Sequence, residues 1–301
     1  MSRFTNLLLF LGLFVISNSL MGQRDFSKVE IKEEKLTDNI YMLTGSGGNI
    51  GLLIGEDGVF MIDNQYAPLS EKIMAKIKEL SDHPVKYVIN THWHGDHAGG
   101  NENFANAGAV IVAHKNVRKR LSTKQLMKAF SREVPPSPEA AWPVITFEKD
   151  VTFHANGEDI MLMHMHKAHT DGDALVYFAT SNVIHMGDTY FKGRFPFIDI
   201  SSGGTAQGMI KLMDAALMIV DDETQIIPGH GTMSNKKELK EYREMLSTVV
   251  GRVKKMVNDG ATAEDVKAKA AELTGGYSEW GTGFINAERF VDFIYTDLTR
   301  E

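Results

Sequence analysis

Two mixed β-sheets covered by helices, an α/β fold, are what this sequence predicts, on three observations. Near the N-terminus, short apolar stretches alternate with Gly-rich turns, "GSGG" (Gly45–Gly48) and "GEDG" (Gly55–Gly58), which is the pattern of a meander. Apolar strands and helical stretches then alternate along the middle of the chain, as β-α units do. From Ser234 onward apolar residues recur at helical spacing.

The elements follow in order. Three strands are expected at about 38–44, 49–54 and 58–62. Leu69 to Leu80 carries helical periodicity through Ile73, Ile77 and Leu80, and "VKYVIN" returns as a buried strand ending at Asn90. A short helix near Asn101–Ala105, the strand "AVIVAH" and basic helical segments from Lys115 to Arg132 come next, before a loop marked by Pro135, Pro136 and Pro138. Further strands are expected near 144–153, 160–165, 174–179 and 182–187, then a helix at about 205–219 and a last strand, "TQIIPG". Leu239, Tyr242, Leu246, Val249, Val253 and Met256 mark one face of a long helix, and Thr262-x-x-Asp265 opens another with a capping box. The sequence shows no internal repeat, low-complexity segment or linker, so residues 23–301 are expected to form one domain whose part from 234 to 301 is mainly helical.

At 301 residues, 43% hydrophobic and 24% charged, the chain can bury a sizeable core. Residues 1–22 read as a signal peptide: Arg3 supplies the positive start, Leu7 to Ile16 the apolar run, and Ser17 to Gly22 the small and polar exit. The apolar run is short for a membrane span, so cleavage near Gly22–Gln23 and a periplasmic or secreted product are expected, with an N-terminal anchor as the alternative. Cleavage would move the formal charge from −7 to −8, a mildly acidic balance that argues against nucleic acid as a partner. The chain has no cysteine, which removes every thiolate as nucleophile or metal ligand.

The chemistry concentrates in "VINTHWHGDHAGG". His92, His94, Asp96 and His97 fall within six residues directly behind a buried strand, where unpaired titratable groups would be costly. Extended backbone points His92 and His94 to one side, and Asp96 and His97 follow once the chain turns. Such a set divides naturally between two ions. "KAHTDGD" then places His169 in a loop before a strand, "IHMGDTYF" places Asp188 just beyond one, and "QIIPGHGT" places His230 just beyond another. Loops at the ends of a rigid sheet can converge, giving seven nitrogen or oxygen donors. Histidine with carboxylate suits Zn²⁺ first, with Mn²⁺ and Fe²⁺ as alternatives.

With these motifs the chain resembles the metallo-β-lactamase superfamily over nearly all of the expected mature sequence. The resemblance implies an αββα sandwich with the site along one edge of the sheets. It also implies that His92, His94 and His169 hold a first metal and Asp96, His97 and His230 a second, with Asp188 bridging the two. Two zinc ions per chain would then activate a shared water as hydroxide, with Asp96 beside it as a catalytic group, and open a carbonyl substrate. β-Lactams fit the export signal. Relatives with a cysteine ligand are excluded, and Asp188 in "GDTYF" looks like the bridging aspartate of glyoxalase II-type and lactonase-type members, which act on thioesters and lactones. Lactonases of this kind carry a tyrosine three residues after that aspartate; here Phe191 stands there, with Tyr190 adjacent. Persulfide dioxygenases of the superfamily use one iron on the equivalents of His92, His169 and Asp188, so sulfur oxidation is the alternative from another reaction class. A metal-binding protein without turnover is a third.

Asp96 and Asp188 offer two negative charges against four positive ones, so anionic small molecules are the expected substrates. Lys192 and Arg194 are candidates to clamp a substrate carboxylate, or else solvated loop charges. Asp63, ending "VFMID", is a candidate to orient a ligand imidazole or a motif-loop amide, or else an ordinary turn aspartate. His164 and His166 are candidates for the same orienting role, or half-buried strand histidines. Trp93 is expected to pack away from the metals, and Tyr66 with the GSGG turn to form a flap over the site.

Overall fold

The computed structural model describes residues 25–300, so the expected signal segment lies outside the described residues. A meander opens the fold: β1 (Lys32–Lys35), β2 (Ile40–Thr44), β3 (Ile50–Gly55) and β4 (Gly58–Ile62) pair antiparallel in turn. Helix α1 (Ser70–Leu80) crosses back to β5 (Val85–Asn90), parallel to β4. Short helices α2 (Gly95–Ala98) and α3 (Asn101–Asn106) lead to β6 (Val110–His114), parallel to β5. After α4 (Lys115–Leu121) and a small hairpin, β7 (Gln125–Met127) with β8 (Arg132–Val134), strand β9 (Ile145–Phe147) completes a seven-stranded sheet beside β6.

The second sheet has five strands. β10 (Asp150–Ala155), β11 (Glu158–His164), β12 (Ala174–Phe178) and β13 (Val183–His185) are antiparallel neighbours, and α5 (Ala206–Ile219) returns the chain to β14 (Gln225–Ile227), parallel to β13. Helices α6 (Lys236–Asn258), α7 (Ala263–Ala268), α8 (Ala270–Leu273) and α9 (Ala287–Thr299) follow, with the Thr262–Asp265 capping box opening α7.

Period-two alternation sorts the side chains into layers. Phe60 and Ile62 of β4 meet Leu162, Val176 and Phe178 of the other sheet in a core between the sheets. Their neighbours Val59 and Met61 face Ile73 and Ile77 of α1. On the far side, Leu175, Ile184 and Ile226 are covered by Met209 and Met213 of α5, Leu246 and Val249 of α6, and Phe290 and Ile294 of α9. The result is the expected αββα sandwich.

Two expectations needed correction, and one strand was missed. Of the helical segments expected from Lys115 to Arg132, α4 stops at Leu121, where the Ser122 and Thr123 hydroxyls turn back onto the Lys119 carbonyl, and only a single helical turn at Lys128–Phe130 follows, set in the hairpin that takes the remaining residues. The single strand expected at 144–153 is two: β9 joins the first sheet and β10 the second, with the chain crossing at Glu148 and Lys149. Strand β1 was not foreseen, since its four residues are all exposed and show no alternation.

Leu162 is fully buried between the sheets. Leu162→Ala should cost about 2–5 kcal/mol of stability, read as a lower denaturation midpoint, while leaving the metal stoichiometry of the folded fraction unchanged.

Candidate metal centre

Four strand ends deliver the donors to one edge of the sandwich. The HxHxDH segment leaves β5, His169 precedes β12, and Asp188 and His230 follow β13 and β14. Buried amides brace the first of these: Asn90 and Asn101 exchange side-chain hydrogen bonds at 3.0 and 2.8 Å, and Asn64 joins them while accepting from the Gly100 amide at 2.7 Å. Before Asp188 the chain takes a left-handed turn at Gly187 (φ 52°), where a β-carbon would press on the Thr91 side chain, so glycine is required there.

The donors fall into two groups that share Asp188. His92, His94, His169 and Asp188 form one, and Asp96, His97 and His230 the other. In the first, His94 Nδ1 lies 3.1 Å from His92 Nε2 and 2.9 Å from His169 Nε2. In the second, His230 Nε2 lies 3.4 Å from His97 Nε2 and 3.4 Å from Asp96 Oδ2. Asp188 turns one oxygen to each: Oδ2 is 3.9 and 3.8 Å from the Nε2 atoms of His92 and His169, and Oδ1 is 2.9 and 3.3 Å from those of His97 and His230.

Acceptors behind the imidazoles fix which nitrogen faces inward. His169 Nδ1 donates to the Phe197 carbonyl at 2.8 Å, His94 Nε2 to Asp199 at 2.9 Å and His97 Nδ1 to Asp63 at 2.7 Å. The Thr91 hydroxyl donates to Asp63 at 2.7 Å and accepts from His92 Nδ1 at 3.0 Å. Each outward nitrogen therefore carries a proton, and in a neutral ring the inward one presents a lone pair. Such lone pairs repel one another at about 3 Å unless a cation or a proton lies between them. Asp188 Oδ1 is buried and, despite its short approach to His97, off the line of any hydrogen bond. Convergent lone pairs and an orphaned carboxylate oxygen fit a pair of divalent cations.

Electrostatics separate the two groups. Burial, with His97 nearby, drives the His92 imidazole well below its usual range, and burial with His94 nearby holds His169 at about 4, so both are neutral at pH 7. Burial also disfavours charge on His97 and His230, but the Asp188 carboxylate overrides it, raising His97 well above the ordinary value and His230 to about 9. Burial alone would raise the Asp96 carboxyl; the His230 hydrogen bond and the His97 charge keep it strongly depressed. In the second group, protons thus occupy the place of a cation.

A model of the metallo-β-lactamase superfamily matches residues 43–233 of this sequence. The chain belongs to that superfamily. A type 2 metallo-β-lactamase from Elizabethkingia meningoseptica is 28% identical over 190 residues, 58% of this chain and 68% of the relative. A hydroxyacylglutathione hydrolase from Pelagibacter ubique is 26% identical over 175 residues, 56% of this chain and 62% of the relative. Among solved structures, a metallo-β-lactamase from Pontibacter korlensis superposes with a TM-score of 0.60 at 17% identity, over 72% of this chain and 99% of that one. An inverting sec-alkylsulfatase from Pseudomonas sp. reaches 0.66 at 16% identity, over 89% of this chain but only half of that longer one, 50%. These relatives are hydrolases, and this superfamily member is a metal-dependent hydrolase with a His/Asp metal site.

All seven expected donors meet at one edge of the sandwich, and Asp63 holds both a donor imidazole and, at 2.8 Å, the Thr91 amide. It reaches both through a left-handed turn, φ 61°, just past β4. The expected substrate contacts fare differently. Tyr190 is buried in the helical layer, its hydroxyl on Ser234 at 2.7 Å, because the short turn at 187–189 points it away from the site. Lys192 is committed to Glu238 at 2.9 Å and the Met233 carbonyl at 2.8 Å. Arg194 is exposed, with its stem along Gly283. His164 stacks on His114, ring centroids 3.7 Å apart, and His166 is exposed; neither bonds a donor imidazole. Trp93 is buried in packing, as expected, and donates to Ser202, but its ring lies 4.8 Å from that of the donor His94 and so does not point away from the site. The GSGG turn is seated rather than overhanging: Gly48 donates to the Asp96 carbonyl at 3.0 Å, and a β-carbon there would overlap the His97 ring.

Asp199 and Thr91 were not anticipated as orienting groups. Asp199-x-x-Ser202 carries a helix-cap spacing, and Asp199 does accept from Ser202, but that spacing does not reveal its bond to His94.

Two outcomes follow. Calorimetric zinc titrations at pH 7.5 in buffers of differing ionisation enthalpy should show more proton release for the Asp96–His97–His230 group than for the group holding His92 and His169. Affinity there should rise with pH up to about 9. Asp63→Asn should weaken metal binding about 10–100-fold, measured by competition with a chromogenic chelator.

Proposed function

We propose that this protein is an exported dinuclear zinc hydrolase that opens a carbonyl substrate, with β-lactams the first class to test. The observation that carries the reading is Asp188, whose two oxygens face the two donor groups separately. Bound divalent cations would supply Lewis acidity toward the carbonyl and bring a water's pKa near neutrality.

The chain's own residues do the rest. His92, His94 and His169 would hold one cation, and Asp96, His97 and His230 the other. Asp63, Thr91, Asp199 and the Phe197 carbonyl keep the imidazoles turned inward. His92 and His169 are sealed, whereas Asp96 and His230 keep side-chain exposures of 25% and 20%. Substrate therefore approaches from the second group. With Lys192 paired to Glu238, attraction for anionic substrates rests on the cations.

A thioester or lactone substrate is the second reading. It is favoured by the all-nitrogen-and-oxygen donor set with a shared Asp188, and by the similarity to a hydroxyacylglutathione hydrolase.

Elemental analysis of the purified protein, with hydrolysis of a chromogenic cephalosporin and of S-lactoylglutathione measured with and without chelator, tests the proposal. Two zinc per chain and chelator-sensitive turnover are expected, with Asp188→Ala reduced to the chelated rate. A single iron per chain would overturn the hydrolytic reading. Intact mass should show a mature chain beginning near Gln23; an unprocessed chain in an exporting host would remove the export assignment.

A further inference from the structure

An unbroken path of ring contacts joins the first donor group to the surface. Phe197 stacks on His94, centroids 5.7 Å apart at 30°, and meets His169 at 5.7 Å. Phe130, in the turn between β7 and β8, lies 5.0 Å from Phe197, and Phe284, just before α9, lies 5.3 Å from Phe130. Phe197 is buried and Phe130 half-buried, while Phe284 is 65% exposed. Three distant segments of the chain meet here. The hairpin is tied to the donor-bearing loops: the Lys128 amide donates to Ser201, beside the Ser202 that bonds Asp199. Arg289 sets its guanidinium 5.8 Å from the centre of the Phe284 ring, and Arg194 lies along the adjacent Gly283.

A solvent-facing phenylalanine in ring contact with a wall that ends on a donor histidine has the makings of a recognition element. We propose that Phe130 and Phe284 form a subsite for an aryl or similarly flat apolar substituent of the substrate, making them specificity-determining residues. The proposal rests on the hydrolase reading for its site but concerns a different part of the ligand. Because Phe130 contacts Phe197, which in turn packs on His94 and His169, a substituent held there would lie on the first group's side of the centre while the reacting carbonyl lies toward the second. The Arg289 guanidinium beside Phe284 adds tolerance for negative charge near the ring. A substrate with a bare alkyl group would leave Phe284 in water and gain nothing from it.

Binding of 4-phenylbutyrate and butyrate to the zinc-loaded full-length mature protein, by calorimetry, separates the two ideas, because both probes carry the same carboxylate for the cations and differ only in the ring. Phenylbutyrate should bind about tenfold tighter, the magnitude of burying roughly half a phenyl ring. Phe284→Ala should cut that ratio about fivefold. Phe284→Trp should keep it, and Met218→Ala, which removes a side chain 83% exposed elsewhere, should not change it. Phe130→Ala should act in the same direction as Phe284→Ala. Equal affinities for the two probes, no measurable binding of phenylbutyrate, or a ratio indifferent to Phe284→Ala would overturn the subsite. If the ratio behaves as expected and no carbonyl substrate is hydrolysed, the subsite stands and the hydrolase reading falls. If hydrolysis proceeds without aryl preference, the reverse holds.

Discussion

Imidazole lone pairs gathered about 3 Å apart, with a carboxylate pressed among them, make a cluster that repels itself or must take up protons. Everything around the centre answers that constraint. Four rings have their outer nitrogens held by Asp63, Thr91, Asp199 and a backbone carbonyl, so they cannot rotate to relieve the repulsion. What relieves it is positive charge. Where carboxylates are close, as at His97 and His230, protons suffice; where they are farther, as at His92 and His169, the rings stay neutral and the demand for a cation is undiluted.

Holding such a cluster needs a rigid frame, and the sandwich supplies one. Its donor-bearing loops leave or enter strands anchored by fully buried side chains, such as Ile89 of β5 and Ile184 of β13. Frame and cluster meet at Asp63, whose left-handed backbone follows directly from β4 and whose carboxylate ties the next strand's exit to His97. Strain of this kind persists only where the surroundings over-determine it, and three hydrogen bonds on one buried carboxylate do so.

Much of this was legible in the sequence, for a reason that lies in chain distance. His92, His94, Asp96 and His97 are neighbours whose spacing alone says where they point, and His169, Asp188 and His230 sit beside apolar runs that announce strand ends. The layered fold was legible because alternation and helical spacing are local as well. Asp199 was not, since its partner His94 lies 105 positions away and no short-range pattern links them. Tyr190 and Lys192 misled for the opposite reason. Nearness to Asp188 along the chain says nothing about which way a tight turn sends the next side chain, and here it sends Tyr190 into the helical layer and Lys192 to Glu238. The divided strand at 144–153 did leave a mark, the charged run Glu148-Lys149-Asp150 between two apolar stretches, but a charged run inside one exposed strand looks the same, and only the pairing shows that the chain changes sheet there.

Unequal access gives the centre a direction in time. One donor group is walled in by Phe197 and the sheet ends, while the other opens through Asp96 and His230. On the proposed two-ion occupancy, a chelator arriving from solvent would meet the open side first, so slow stripping would pass through a state in which only the enclosed ion remains. Such a half-emptied centre would retain its folded frame and one Lewis-acid position, and refilling it would need only a single ion from the medium. In scarcity the protein would lose and recover its second ion long before it lost its first.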